Sequence, residues 1–282
     1  MKTLSRIYAE EKMLKINSAL KVFLPIIFLL FSWSCDGKRH DNQSEVSVEF
    51  RWETFNQKYG NCDSLDQNCL RVFIEYPRFT SKKTICSDSL NHYIDQIILH
   101  PIFAGQPVKS PEDIFQQLEL EFIKFQKEFP EYPTEWELLR KVDILYNRHQ
   151  IVSLSFNEYI YTGGAHPGST RLLRSFDLKT GERMTLTDLL FKENIDTFLQ
   201  SAENKFRQQK GLLTDHDLAE AGYWFPGNRF QLNDNFALTE NGIIFYYNPY
   251  EIAPYALGAT ELLLPFNEIQ KFLRDKTLIP KG

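Results

Sequence analysis

Hydrophobic positions repeat with two different periods along this chain, and the places where the period changes divide it. Residues 71–76 (RVFIEY) are rich in β-branched and aromatic side chains and stop at Pro77, which predicts a strand. Residues 87–99 then carry Leu90, Ile94, Ile97 and Ile98 at helical intervals. The clearest helix follows Ser110-Pro111-Glu112, where Phe115, Leu118, Phe122, Phe125 and Phe129 recur at steps of three and four and share one face. That stripe is expected to press on a sheet; an aromatic face also suits a ligand, but core packing is the commoner use. Beyond Pro133 the period becomes two. Residues 136–146 and 151–161 flank Asn147-Arg148-His149-Gln150, and Val152, Leu154 and Phe156 alternate with Ser153, Ser155 and Asn157, predicting a half-buried hairpin. A third strand at 170–178 leads into a Lys179-Thr180-Gly181-Glu182 turn, Thr187-Asp188 caps a short helix, and residues 189–210 read as helical. Short strands at 236–238, 242–247 and 261–265 precede an amphipathic helix over 266–274. The sum is an α+β fold, an antiparallel sheet with helices packed on one face, in two subdomains. Pro130-Glu131-Tyr132-Pro133 is the expected boundary, giving a smaller unit over 46–131 and a larger one over 134–278.

The N-terminus predicts an address. Residues 22–33 (VFLPIIFLLFSW) form an apolar run preceded by Lys12, Lys15 and Lys21 and followed by Ser34-Cys35. A spanning helix needs about 20 apolar residues. This run is shorter and holds Pro25, so residues 1–34 read as a secretion signal, with Met13 an alternative start. Cys35 sits where bacterial lipoproteins carry the acylated cysteine, although Ser32 and Trp33 depart from the usual pattern and leave ordinary cleavage open. A diacylated Cys35 would anchor the protein to a bacterial membrane, facing the periplasm or exterior. Residues 36–45 (DGKRHDNQSE) are polar and aperiodic, as a tether would be.

Composition narrows the partners. Residues 35–282 carry 27 basic and 35 acidic side chains, a net of −8, which argues against nucleic acid and suits a cationic partner or plain solubility. With 43% hydrophobic residues and 23 Phe, the chain can fill one large core or two smaller ones. Cys62 and Cys69 are spaced to close a small disulfide loop in an oxidising envelope, while Cys86 has no evident partner. Two cysteines without further ligands at zinc spacing do not make a metal site, so neither metal nor cofactor is expected.

Two unusual segments remain: Tyr161-Thr162-Gly163-Gly164-Ala165-His166-Pro167 and Tyr250-Glu251-Ile252-Ala253-Pro254-Tyr255-Ala256-Leu257-Gly258. Together they resemble the signature of the extracytoplasmic C-terminal domain of RsiV, a lysozyme-sensing anti-sigma factor, a domain shared with envelope proteins of unknown role. The resemblance covers roughly the second half of the chain. It implies an α+β domain often preceded by a smaller companion domain, and a partner such as lysozyme. No sigma-binding segment or membrane span accompanies it here, so binding without transmembrane signalling is expected.

Enzymatic readings of the glycine loop each lack a residue. Ser169 stands where a phosphate-binding loop needs Lys. His166-Pro167 is similar to part of the metal region of polysaccharide deacetylases, and a deacetylase shares an accessory domain with the resembled family. The paired aspartates and second histidine of that metal region are not found. No Gly-x-Ser-x-Gly elbow or His-Glu-x-x-His helix occurs. Gly163, Gly164 and Gly168 instead offer backbone freedom, so the loop is expected to pack closely on another surface. One expectation is internal: His166 hydrogen-bonds a carbonyl or Glu251 and locks a sheet corner. The other gathers Tyr161, Gly163, Gly164, His166, Tyr250, Glu251 and Tyr255 around a surface that binds a glycan or peptide. The leading expectation is an envelope lipoprotein that binds or senses lysozyme or peptidoglycan fragments without catalysis. The alternatives are a cell-wall glycan hydrolase using Glu251 and Asp177, a deacetylase, and a purely structural envelope protein. Tyr223, Trp224 and Phe225 are expected to plug a loop over the core, and Asn233-Asp234-Asn235 to turn the chain, with too few acidic groups for a calcium loop.

Overall fold

The computed structural model describes residues 47–62, 68–80, 85–105 and 107–279. The signal segment at 1–34, the lipidation expected at Cys35, the tether and the pairing of the Cys86 side chain lie outside what is described. Strands β1 (Phe50–Gly60), β2 (Cys69–Phe79), β3 (Glu135–Arg148), β4 (Ile151–Thr162) and β5 (Gly168–Asp177) form one sheet in that order. A second sheet contains β6 (Phe236–Thr239), β7 (Gly242–Tyr247) and β8 (Thr260–Pro265). Every pair is antiparallel except β2 with β3. Parallel neighbours need a long crossover, supplied here by α1 (Ile85–Ile98) and α2 (Pro111–Glu128).

Both helices cover one face of the first sheet. Leu90, Ile94 and Ile98 of α1 and Ile114, Leu118 and Phe122 of α2 join Leu70, Val72, Ile74, Leu138, Val142 and Leu154 in one core. The α2 stripe is therefore rotated from its expected centre: Phe115 and Phe125 are only half-buried, and Phe129 lies past the helix end and is exposed. Ser110 starts α2 with a capping box, its Oγ accepting from Asp113 N at 3.3 Å and Asp113 Oδ2 accepting from Ser110 N at 3.1 Å. The core draws on both sides of residues 130–133, and β2 pairs directly with β3 across them. Pro130–Pro133 is thus a connection within one sheet, and the expected division there does not separate two cores.

Several elements differ from the sequence expectation for local reasons. Strand β1 shows no apolar alternation because it is an edge strand with mostly exposed side chains. β2 continues through Pro77, since its pairing with β3 ends at Glu75 and the proline takes no ladder bond from that side. The β3–β4 hairpin turns on His149 (φ 51°) and Gln150 (φ 61°), both left-handed as a two-residue turn requires, with Tyr146 Oη 2.6 Å from His149 Nδ1. A disulfide joins Cys62 and Cys69, Cα atoms 4.7 Å apart.

The second sheet is packed by α4 (Ile195–Lys210), whose Phe198, Ala202 and Phe206 are buried. The short α3 (Leu186–Leu189) precedes it, and Thr185 rather than Thr187 is its N-cap, with Asp188 Oδ2 accepting from Thr185 N at 2.7 Å. The closing helix α5 (Phe266–Ile269) is a single turn, not 266–274. Beyond it the chain is drawn into a bridge between Leu273 and Leu190, and Phe191 N and Arg274 N donate to Phe272 O and Leu189 O.

Side chains join the two sheets. Asn235 Oδ1 accepts from Leu173 N at 2.6 Å and its Nδ2 donates to Arg171 O at 2.8 Å, so one amide pairs with the free edge of β5 as a neighbouring strand would. Asn248 Oδ1 accepts from Arg171 N at 2.7 Å. Ser175 Oγ accepts from Leu238 N at 2.9 Å and contacts Ser153 Oγ at 2.8 Å inside the core.

Tyr247 is buried, and its Oη donates to Gln231 O at 2.7 Å. Burial, then the nearby Glu251 carboxylate, pushes its pKa far above the ordinary tyrosine value. Burial also raises Tyr76, Tyr159, Tyr223 and Tyr246. A raised folded-state pKa contributes stability that is fully present below the unfolded tyrosine value of about 10 and is lost as pH rises toward the folded one. Alkaline unfolding is therefore expected to begin above about pH 10, with the buried phenols ionising together with the loss of fold in an absorbance titration at tyrosinate wavelengths. Ionisation of every tyrosine ahead of unfolding would contradict this.

Candidate functional site

The two singled-out segments are loops at neighbouring strand ends. Residues 163–167 connect β4 to β5, and residues 248–259 connect β7 to β8. In the second loop Asn248, Pro249, Tyr250 and Glu251 make a tight turn closed by Glu251 N donating to Asn248 O at 3.0 Å. Pro249 suits its second position and the third calls for positive φ, where glycine is usual. Tyr250 occupies that position at φ 68°, a conformation costing about 1–2 kcal/mol for a side-chain-bearing residue. Strain of this kind is held only where neighbours over-determine it.

Glu251 is the neighbour that does so. Its Oε2 accepts from Asn248 N at 2.8 Å, its Oε1 accepts from Asn233 Nδ2 at 2.6 Å, and its backbone oxygen accepts from Trp224 Nε1 at 3.2 Å. Both carboxylate oxygens are thus engaged in shaping the turn, and the expected Glu251–His166 hydrogen bond is replaced by a different contact. His166 stacks on Tyr255, ring centroids 4.4 Å apart and planes 21° from parallel. Tyr255 Oη donates to Pro167 O at 3.5 Å, and His166 Nδ1 donates to the same oxygen at 3.1 Å. Tyr250 packs on the other side of the cluster, 5.4 Å from Tyr255. The two loops, about ninety residues apart in the chain, therefore meet through rings. His166 is exposed, Tyr250 is 57% exposed and Tyr255 half-buried.

The other candidates divide. Of the three loop glycines only Gly163 uses its freedom, at φ 84°. Gly168 is an ordinary strand residue whose added Cβ would meet Ile160 Cγ2 at 3.3 Å, and Gly164 faces open space apart from His166 O at 4.0 Å. Tyr161 lies on β4 opposite Glu137. Tyr159, which pattern reading passed over, links it to the cluster: burial raises its pKa, and Glu137, Tyr161 and Tyr255 all add to the shift. Trp224 is 48% exposed while Tyr223 and Phe225 are buried, so the expected plug holds with one ring left outside.

The hydrolase pair does not assemble. Glu251 is tied through Asn248 to Arg171, whereas Asp177 closes β5 six residues further on, about 20 Å at the strand rise of 3.3–3.4 Å per residue. Carboxylates for glycoside hydrolysis must stand roughly 5–9.5 Å apart. Asn233 and Asn235 serve as braces, Asn233 Nδ2 donating to Tyr246 O at 2.8 Å as well as to Glu251. Among the described residues no group of three or more His, Cys, Asp or Glu side chains is placed to hold a metal ion. None of the described helices is long and apolar enough to cross a membrane.

Two family models match this chain. Residues 64–169 match one described as "Deacetylase PdaC", and residues 188–267 match "Protein of unknown function (DUF3298)". The matched stretches part within β5 and the turn after it. Among curated proteins, the chain is 25% identical over 185 residues to peptidoglycan-N-acetylmuramic acid deacetylase PdaC of Bacillus subtilis, covering 63% of this chain and 38% of that protein. It is 30% identical over 119 residues to immunogenic protein MPT64 of Mycobacterium tuberculosis, covering 41% of this chain and 49% of that one. The chain thus spans less than half the length of either relative. In fold it is similar to a DUF3298-family protein from Bacteroides fragilis, with a TM-score of 0.62 at 20% identity over 83% of this chain and 97% of the other. A DUF3298-family protein from Pseudomonas aeruginosa gives 0.56 at 19% identity over 84% and 99%.

Proposed function

We propose that this protein is a lipid-anchored envelope module that binds cell-wall glycan on the His166–Tyr255–Tyr250 surface and leaves it chemically unchanged. The observation that carries the reading is the exposed stack itself: three rings from two distant loops, one of them kept in a strained backbone conformation. Hexose rings present flat C–H faces, and aromatic side chains offer large contact area with few rotatable bonds, so such a cluster suits a neutral sugar chain. Kinship with a peptidoglycan deacetylase over part of its length supports a cell-wall target. The engagement of Glu251 in its turn, and its distance from Asp177, support binding over hydrolysis. The resemblance to the RsiV-like family adds lysozyme as a second target, with the net charge of −8 over residues 35–282 favouring a cationic protein.

Tyr250→Asn separates structure from binding, because asparagine tolerates positive φ and removes only the ring. The variant is expected to unfold at the wild-type temperature or slightly above, and to lose about tenfold in co-sedimentation with insoluble peptidoglycan. Titration with lysozyme, and a muropeptide-release assay, run beside it. Undiminished sedimentation, or muropeptide release by the wild type, would overturn the proposal; lysozyme binding lost in the variant would transfer the surface to that partner.

A further inference from the structure

The first sheet has two faces, and α1 and α2 cover only one of them. Alternation along the strands sends Phe73 of β2, Leu139 of β3 and Tyr159 of β4 to the opposite face. The register lines them up, with Phe73 opposite Leu139 and Leu139 opposite Tyr159. The second sheet packs on this face only towards one end, where Leu145, Leu173 and Ala237 meet in a small core. Phe73, Leu139, Tyr159 and Tyr161 belong to none of the cores among the described residues, and each is half-buried.

The surroundings of this apolar row define what fits on it. Charged side chains flank it on both sides: Arg71 paired with Glu135 on one, Lys141 with Asp143 at 2.9 Å and with Glu75 at 3.8 Å on the other. A second sheet packed face to face needs a broad apolar layer. A row one side chain wide suits a narrow, extended chain instead, and charges already paired among themselves suit a neutral one. Among the described residues the Tyr159 and Tyr161 hydroxyls have no hydrogen-bond partner, so both rings offer an apolar face with a free polar group at its edge. Phe73 and Tyr159 stand two strands apart, about 10 Å at the usual strand spacing. That is close to the length of one disaccharide in a β-1,4-linked sugar chain, where alternate sugars present the same face. The row is also continuous with the ring cluster, because Tyr255 stands beside Tyr159 and acts on it electrostatically.

We propose that this row is the floor of a shelf that carries a β-1,4-linked glycan strand across β4, β3 and β2, leading away from the His166–Tyr255–Tyr250 cluster. The inference rests on the glycan-binding reading and extends it. The cluster holds one part of the strand, and Tyr159, Leu139 and Phe73 hold the sugars beyond, so that long strands are preferred to short ones.

The test titrates the full-length protein with β-1,4-linked N-acetylglucosamine oligomers of two and of six sugars, followed at the backbone amide resonances. The hexamer is expected to shift the amides of Phe73, Leu139 and Tyr159 together with those of Tyr250 and Tyr255, and to bind about tenfold more tightly than the dimer. Phe73→Ala, outside every core, is expected to keep the unfolding temperature and the dimer affinity and to abolish the gain with length; Leu139→Ala in the same row repeats the readout. A hexamer that shifts Tyr250 and Tyr255 but leaves Phe73 and Leu139 fixed, or a gain with length that survives both variants, would refute the shelf and keep the first surface. Shifts at Phe73 and Leu139 that follow protein concentration instead of sugar would assign the face to a second copy of this chain and overturn the proposal. Silence at both places would remove both readings.

Discussion

Arg140→Met is expected to destabilise the fold by about 3–5 kcal/mol, from two carbonyls left unpaired at roughly 1–3 kcal/mol each and one charged hydrogen bond lost. Arg140 projects from β3 into the helix-covered core at 3% exposure. Its Nη1 donates to Ile98 O at 2.6 Å and His100 O at 2.8 Å, and its Nε donates to Glu158 Oε2 at 2.7 Å. The guanidinium thus satisfies carbonyls at the C-terminal end of α1, where no intrahelical donor is available, and fastens them to β4. Methionine keeps most of the volume, so the loss isolates the polar contacts. Glu158→Gln is the control: Glu158 is about one-third exposed, and Arg140 would keep both carbonyls, so its cost is expected to stay near 1 kcal/mol. Thermal unfolding would read the contrast as a drop of about 6–12 °C against a few degrees. Equal effects would mean that the ion pair, not the helix end, is what Arg140 serves.

Asn235→Ala is expected to cost about 1–3 kcal/mol, since it leaves the Leu173 N–H at the edge of β5 without its acceptor, while the Arg171 carbonyl keeps a donor in Asn248 Nδ2 at 3.2 Å. The loss should spread. Tyr246 N donates to Asn235 O, and Asn233 beside it braces Glu251, so displacement of this turn reaches the Tyr250 turn. Hydrogen exchange is expected to accelerate at Leu173 and at residues 248–251 together, before the helices α1 and α2 are affected. Exchange confined to Leu173 would show that the junction and the aromatic surface are independent.

The parts of this fold legible beforehand are those where burial imposes a period. Leu90, Ile94 and Ile98 announced α1, and Val152, Leu154 and Phe156 announced β4, because each faces the core at every repeat. β1 was illegible because an exposed edge strand has no reason to alternate. The core-facing row of α2 is displaced from the aromatic stripe because Phe129 lies past the helix end and is exposed, and residue type alone does not separate a core ring from a surface one. His149 and Gln150 carry none of the usual marks of a left-handed turn, nor does Tyr250, whose conformation depends on the neighbouring Glu251 being held by Asn233 from eighteen residues earlier in the chain. The two unusual segments mark where the loops meet but not the chemistry of the meeting, a ring stack with Glu251 serving the turn instead of His166.

The central claim is that these loops form one binding surface. A double-mutant cycle on His166 and Tyr255, read as affinity for a soluble peptidoglycan fragment, tests it most directly. His166→Ala and Tyr255→Ala are each expected to weaken binding by about tenfold, near 1.4 kcal/mol, and the double variant by little more than either alone, because each ring acts through its contact with the other. Additive losses, or full affinity in the double variant, would contradict a shared surface.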